Sequence, residues 1–291
     1  TTACTWKWAE PARSFPGAVQ RTRTWDMHAL LPLADGFLVA IAEHDTVTSG
    51  MSSEERYAGE WLVTLDAATG EPRSKARSPG LSVSHMRPAA VRGDRVATID
   101  PGLSVVTALD FRTGATAWVA PVDRYATATE PQNVECLQRL AAWGDLVLAP
   151  SPHGSRVRAF WFAAGSPAWD ALLPGPGVAV RVAGDRVYAA AGRHAACLDA
   201  ATGRALWTAE TGGTVLGAPA PSGAVVAARS ADGWLRGLDA ANGKELWKGF
   251  VGPPGGLEGV EPAGGVFFLL RRDGPTWAVA ADGRPLRRLH L

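Results

Sequence analysis

The sequence predicts an all-β chain built from six tandem copies of a unit of about forty residues. Two observations carry this: a phrase that keeps returning, and a short apolar run at a fixed place before each copy. The phrase is fullest at Leu65 to Gly70, Leu109 to Gly114, Leu198 to Gly203 and Leu238 to Gly243, each reading Leu-Asp, two variable residues, Thr or Asn, then Gly. Trp follows four residues later at Trp118, Trp207 and Trp247. Weaker copies run from Ala159 to Gly165, with Trp169, and from Val279 to Gly283. The closing glycines, at 70, 114, 165, 203, 243 and 283, are spaced 44, 51, 38, 40 and 40 residues apart.

The elements follow in order. Asp35-Gly36 opens the run Phe37 to Ile41, Gly93-Asp94 opens Arg95 to Ile99, and Gly144-Asp145 opens Leu146 to Ala149. Gly184-Asp185 precedes Arg186 to Ala190, Ser222-Gly223 precedes Ala224 to Ala228, and Gly264-Gly265 precedes Val266 to Leu270. Runs this short, often Val-rich and bounded by Gly or Asp, read as strands. Each unit then holds a strand before the turn, the run itself, a strand ending at Leu-Asp and a strand carrying the Trp. Four antiparallel strands per unit make a propeller blade, so the chain reads as a six-bladed β-propeller, with a seventh, partial blade as the alternative. The Asp side chain accepts from backbone N–H groups just downstream and the Gly supplies a positive φ, which makes the phrase a hairpin. Trp118, Trp169, Trp207 and Trp247 read as docking residues between blades, since one buried indole contributes on the order of 4–6 kcal/mol before ordering costs.

At these residues the chain resembles the PQQ-like, or quinoprotein-type, β-propeller repeat, whose pattern is Ala-x-Asp-x-x-Thr-Gly-x-x-x-Trp. Ala108, Asp110, Thr113, Gly114 and Trp118 match it fully. Asp199, Thr202, Gly203 and Trp207 match with Cys197 in the Ala place; Asp239, Gly243 and Trp247 match with Gly237 there and Asn242 for Thr. The first unit keeps Asp66, Thr69 and Gly70 but has Ser74 for Trp. The resemblance spans residues 25–291. It implies a scaffold like the BamB-type outer-membrane assembly lipoproteins, or a propeller sensor domain, and no cofactor. It also implies a periplasmic or extracellular, envelope-associated place in a bacterium, with a cytoplasmic one as the alternative. A quinone-dependent dehydrogenase is the less favoured reading: such enzymes stack the quinone on a disulfide between adjacent cysteines, and Cys4, Cys136 and Cys197 are not adjacent.

Bulk properties fit one large all-β domain: 291 residues, 46% apolar, with 33 Gly and 21 Pro for turns. The net charge of +1, from 29 basic and 28 acidic residues, and the lack of a basic track interleaved with aromatics argue against nucleic acid as a partner. No stretch approaches the roughly eighteen apolar residues that span a bilayer. The chain opens Thr1-Thr2-Ala3-Cys4, compatible with processing and export. Cys4 follows small residues as an acylated cysteine does, but Thr1 stands where Leu is usual, so a disulfide or free thiol is favoured over a lipid anchor. Cys197 reads as a small buried apolar residue.

Catalytic motifs are missing: there is no Cys-x-x-Cys, His-Glu-x-x-His or Gly-x-Ser-x-Gly, and the chain is read as not an enzyme. The longest insertion, from about Glu43 to Glu60, is expected to be a loop that shares one face with Arg73 to Val83 and Val122 to Val134. On that face Glu43, His44, Tyr57, Arg87, Tyr125 and Gln138 are expected to contact a protein partner. The alternative is a ligand or metal sensor at the channel mouth, using His28, His44 and His85; a hydrated polar channel without a metal site is the plainer reading. Within residues 1–24, read as an N-terminal strand and linker, Thr5 to Glu10 with Trp6 and Trp8 is expected to pair at the outer edge of the last blade, where Arg287 stands in the Trp place.

Overall fold

The computed structural model describes residues 20–49, 52–77, 87–100, 105–122, 140–151, 154–252, 257–271 and 276–289. Among these residues there are 24 strands and six four-stranded antiparallel sheets, each pairing its strands in chain order. The chain divides into two compact units, 1–120 and 121–291.

The first unit holds two blades. Blade 1 is β1 (Gln20–Pro32), β2 (Gly36–Ser49), β3 (Ser52–Asp66) and β4 (Pro72–Arg77); blade 2 is β5 (Arg87–Arg92), β6 (Arg95–Asp100), β7 (Val105–Asp110) and β8 (Thr116–Pro121). The first strand begins at Gln20, inside the segment read from sequence as preceding the blades. Residues 1–19, and with them the expected extra strand, lie outside the described residues.

The second unit holds four blades. Blade 3 is β9 (Ala141–Trp143), β10 (Leu146–Pro150), β11 (Arg156–Trp161) and β12 (Pro167–Leu172); blade 4 is β13 (Ala179–Ala183), β14 (Arg186–Ala191), β15 (His194–Asp199) and β16 (Ala205–Glu210). Blade 5 is β17 (Ala220–Ser222), β18 (Val225–Arg229), β19 (Trp234–Asp239) and β20 (Glu245–Phe250); blade 6 is β21 (Leu257–Ala263), β22 (Val266–Arg271), β23 (Thr276–Ala280) and β24 (Pro285–Leu289).

Middle strands are covered on both faces and therefore read as continuous apolar runs, as in β10, where every residue is buried, and at Ala195 to Leu198 of β15. Outer strands such as β16 bury alternate residues at most and carry the charged positions. The core lies between adjacent sheets: Leu148, Val157 and Leu173 meet Val187, Ala189 and Leu198 across blades 3 and 4.

The repeated phrase forms the expected turn. Asp66 Oδ1 accepts from the backbone N–H groups of Ala68 and Thr69 at 2.8 and 2.9 Å, and Asp110 Oδ1 from Arg112 and Thr113 at 2.9 and 2.8 Å. The following glycine donates back to the Asp carbonyl, as Gly203 does to Asp199 and Gly243 to Asp239, both at 2.8 Å. These bonds stabilise the ionised side chain: the Asp66 carboxyl is lowered to about 2, first by the Thr69 N–H and then by Arg73. Asp110 is lowered chiefly by the Thr113 N–H, and Asp199 chiefly by the Thr202 hydroxyl.

Docking is also as expected within the second unit. Trp169, Trp207 and Trp247 donate their indole N–H to the carbonyls of Ala200, Ala240 and Ala281 at 3.1, 3.0 and 2.7 Å, each acceptor lying in the next blade's turn. The rings lie flat on Gly203, Gly243 and Gly283, so close that a Cβ there would come within 2.4, 2.6 and 2.7 Å of an indole carbon. Gly237, in the pattern's Ala place, is needed for a related reason: its own blade's Trp247 would sit 2.1 Å from a Cβ. Cys197 is fully buried beside Trp207, and burial pushes its thiol up to about 11.

Candidate partner-binding site

The region read as a long loop is sheet. β2 and β3 stay paired from Gly36 and Asp66 out to Ser49 and Ser52, and β1 pairs with β2 as far as Gln20 opposite Thr48. β4 covers β3 only between Trp61 and Leu65. Beyond that rung three strands continue as a β-arm of about 30 Å, at about 3.4 Å per residue from Ser52 to Glu60. Charge density suggested a loop, but Thr46, Val47 and Thr48 are strand formers, and long-range pairing along both neighbours overrides the charged side chains.

A bulge between Glu43 and His44 marks the arm's base. Glu43 is 5% exposed and its carboxylate accepts the indole N–H of Trp61; the Lys75 ammonium lies 4.0 Å over that same ring. Glu43 thus anchors the arm from inside the sheet, while the half-buried His44, Asp45, Thr46 and Val47 continue along it. Tyr57 is the rung partner of His44, so those two sit together. Arg87 opens β5 opposite Ile99, in the other blade of this unit. Tyr125, Gln138 and His85 lie outside the described residues. His28 stands at the β1 bulge, four positions along the strand from Thr24, the rung partner of His44, which is about 13 Å along the ladder. Among the described residues no group of three or more His, Cys, Asp or Glu is placed to hold a metal ion.

Two features had no single-residue signal in the sequence. In the second unit Arg181 of β13 reaches Glu261 of β21 with both nitrogens at 2.9 Å, tying blade 4 to blade 6 past the short β17. In the first unit a cavity of about 600 Å³ lies between blades 1 and 2, lined by Leu65, Arg73, Ser74, Arg92, Phe111 and Arg112 among others.

Residues 18–181 and 153–283 match the family model described as outer membrane protein assembly factor BamB. The chain belongs to that family. BamB from Moraxella catarrhalis has the same fold: 20% identity, 90% of this chain and 87% of that one covered, TM-score 0.65. The computationally designed Ika8 protein follows at 15% identity, with 91% and 87% covered and a TM-score of 0.60. A europium-containing methanol dehydrogenase matches 71% of this chain and 54% of its own length at 15% identity, TM-score 0.53. No curated protein matches this BamB-family chain in sequence. The matches establish a β-propeller of PQQ-like repeats, and the six sheets are its blades. No helix among the described residues is long and apolar enough to cross a membrane.

Proposed function

We propose that the protein is a non-catalytic scaffold that binds protein partners during assembly in the bacterial cell envelope, on its periplasmic side, and that the β-arm of blade 1 is its main contact surface. The family match supports the class of function, and the single observation that carries the site is the arm itself. It runs well past the strand that would cover its edge and carries His44 and Tyr57 on one rung. Two of its outer segments, Gln20 to Asp26 of β1 and Ser52 to Glu60 of β3, have no further strand beside them among the described residues. Such edges add an extended partner strand by main-chain hydrogen bonds, and polar side chains keep them from self-pairing meanwhile.

The test is to trim the arm at a rung. Replacing Thr46 to Glu55 by Asn-Gly joins the paired residues Asp45 and Arg56 through a two-residue turn and leaves the anchor at Glu43 intact. Affinity capture from the source cell envelope is then compared between the intact and trimmed proteins, with melting curves to show that both fold. Loss of a specific envelope protein from the trimmed form supports the reading. Equal capture by both forms refutes the arm as the contact surface.

A further inference from the structure

Three docking tryptophans, Trp169, Trp207 and Trp247, define a repeated indole seat: a ring pressed on the next blade's turn glycine, its N–H on the carbonyl of the first residue past that blade's third strand. Blade 1 keeps the seat's register without the ring. Ser74 stands opposite Thr64 as Trp207 stands opposite Cys197 and Trp247 opposite Gly237. The two hydroxyls share a 2.6 Å hydrogen bond, leaving two small side chains where an indole would lie.

The space is partly taken up from the other side. Phe111 occupies the position held by Ala200, Ala240 and Ala281 in the later blades, and its ring is buried against Leu38, Leu62 and Leu109. The Arg77 carbonyl oxygen covers Gly114, at 2.1 Å from where a Cβ would be. What remains is the cavity of about 600 Å³, within the range of small-molecule sites and large enough for one aromatic residue with its flanking backbone. Leu65, Val91 and Phe111 give it apolar walls, and Arg73, Arg92 and Arg112 rim it. At this exposed rim Arg73 pairs with Asp35 and Asp66, and Arg112 with Asp94 at 2.9 Å. Guanidinium planes are good stacking surfaces for an aromatic ring. The Phe111 carbonyl, equivalent to the three that accept an indole N–H, has no donor among the described residues.

We infer that this cavity is an indole-binding site that takes a tryptophan side chain from an extended segment of a partner protein, in the space that Ser74 leaves beside Phe111 rather than on Gly114, which the Arg77 carbonyl already covers. This builds on the scaffold reading but uses a surface separate from the arm.

The probe is the peptide acetyl-Gly-Trp-Gly-amide, titrated into the full chain carrying labelled Leu and Val methyls, with acetyl-Gly-Ala-Gly-amide as control. Saturable binding of the Trp peptide alone, with nuclear Overhauser contacts from its indole protons to the Leu65 and Val91 methyls, is the expected result. Ser74→Trp fills the cavity from within and weakens binding at least about tenfold, whereas Leu172→Ala, at an exposed position in the second unit, leaves it unchanged. Absence of binding, contacts only to other methyls, or undiminished binding by a folded Ser74→Trp variant would each overturn the proposal. The peptide readout does not depend on the arm, so its failure leaves the trimming experiment untouched, and the reverse also holds.

Discussion

Trp207→Ala tests the energetic basis of the fold. Trp207 is 7% exposed, lies on Gly243 and donates to the Ala240 carbonyl at 3.0 Å, with Tyr188 packed at a ring-centroid distance of 6.2 Å. Burying an indole removes roughly 150–250 Å² from water, on the order of 4–6 kcal/mol at about 25 cal/mol per Å². Truncation should therefore cost about 3–5 kcal/mol, the usual range for Trp→Ala in a core. At about 2–4 °C per kcal/mol for a unit of this size, Tm falls by about 6–20 °C. Gly243→Ala attacks the same contact from below: its φ of 77° strains an L-residue, and the new methyl meets the ring at 2.6 Å. Removing the ring removes the overlap but not the φ strain, so the double mutant should be less destabilised than the sum by about 1–3 kcal/mol. Urea unfolding of the four proteins measures the cycle. Strict additivity, or a Trp207→Ala cost no larger than that of the half-exposed Trp161→Ala, would refute blade docking as the source of stability.

The turn aspartates make stability pH-dependent. The folded Asp66 carboxyl lies at about 2, below the ordinary carboxylate value of 3.8, so its contribution is present above about pH 4 and is lost as pH falls toward 2. Asp110, Asp199 and Asp282 shift the same way, and Asp66→Asn should flatten the acid limb of a Tm-against-pH curve without abolishing it. The Cys197 thiol, buried and raised to about 11, should be inert to a thiol reagent in a Cys4→Ser, Cys136→Ser background until denaturant unfolds the second unit; prompt labelling of the native protein would contradict its place in the core.

The repeat was legible because its chemistry is local. An Asp that caps its own turn and a Gly at positive φ must be those residues wherever the hairpin occurs, so Asp66, Asp110, Asp199 and Asp239 could be read without knowing what surrounds them. Trp169, Trp207 and Trp247 followed from their fixed offset. The arm was not legible as strand, because the pairing of Ser49 with Ser52 and of Gln20 with Thr48 depends on partners far along the chain, and charged residues such as Glu54 and Glu55 mask the pattern. The sequence showed Ser74 in the Trp place and Phe111 in the phrase, but their relation across two blades exists only in three dimensions. Arg181 and Glu261, 80 residues apart, left no pattern to find.

The central claim is that partners engage the blade 1 arm, and the most direct measurement is photo-crosslinking in the source cell envelope from a photoreactive amino acid at Val47 or Tyr57, compared with one at Leu172, a 70%-exposed position in the second unit. The expected result is a discrete adduct with the same envelope protein from both arm positions and none from Leu172. Adducts from Leu172 with none from the arm would contradict it.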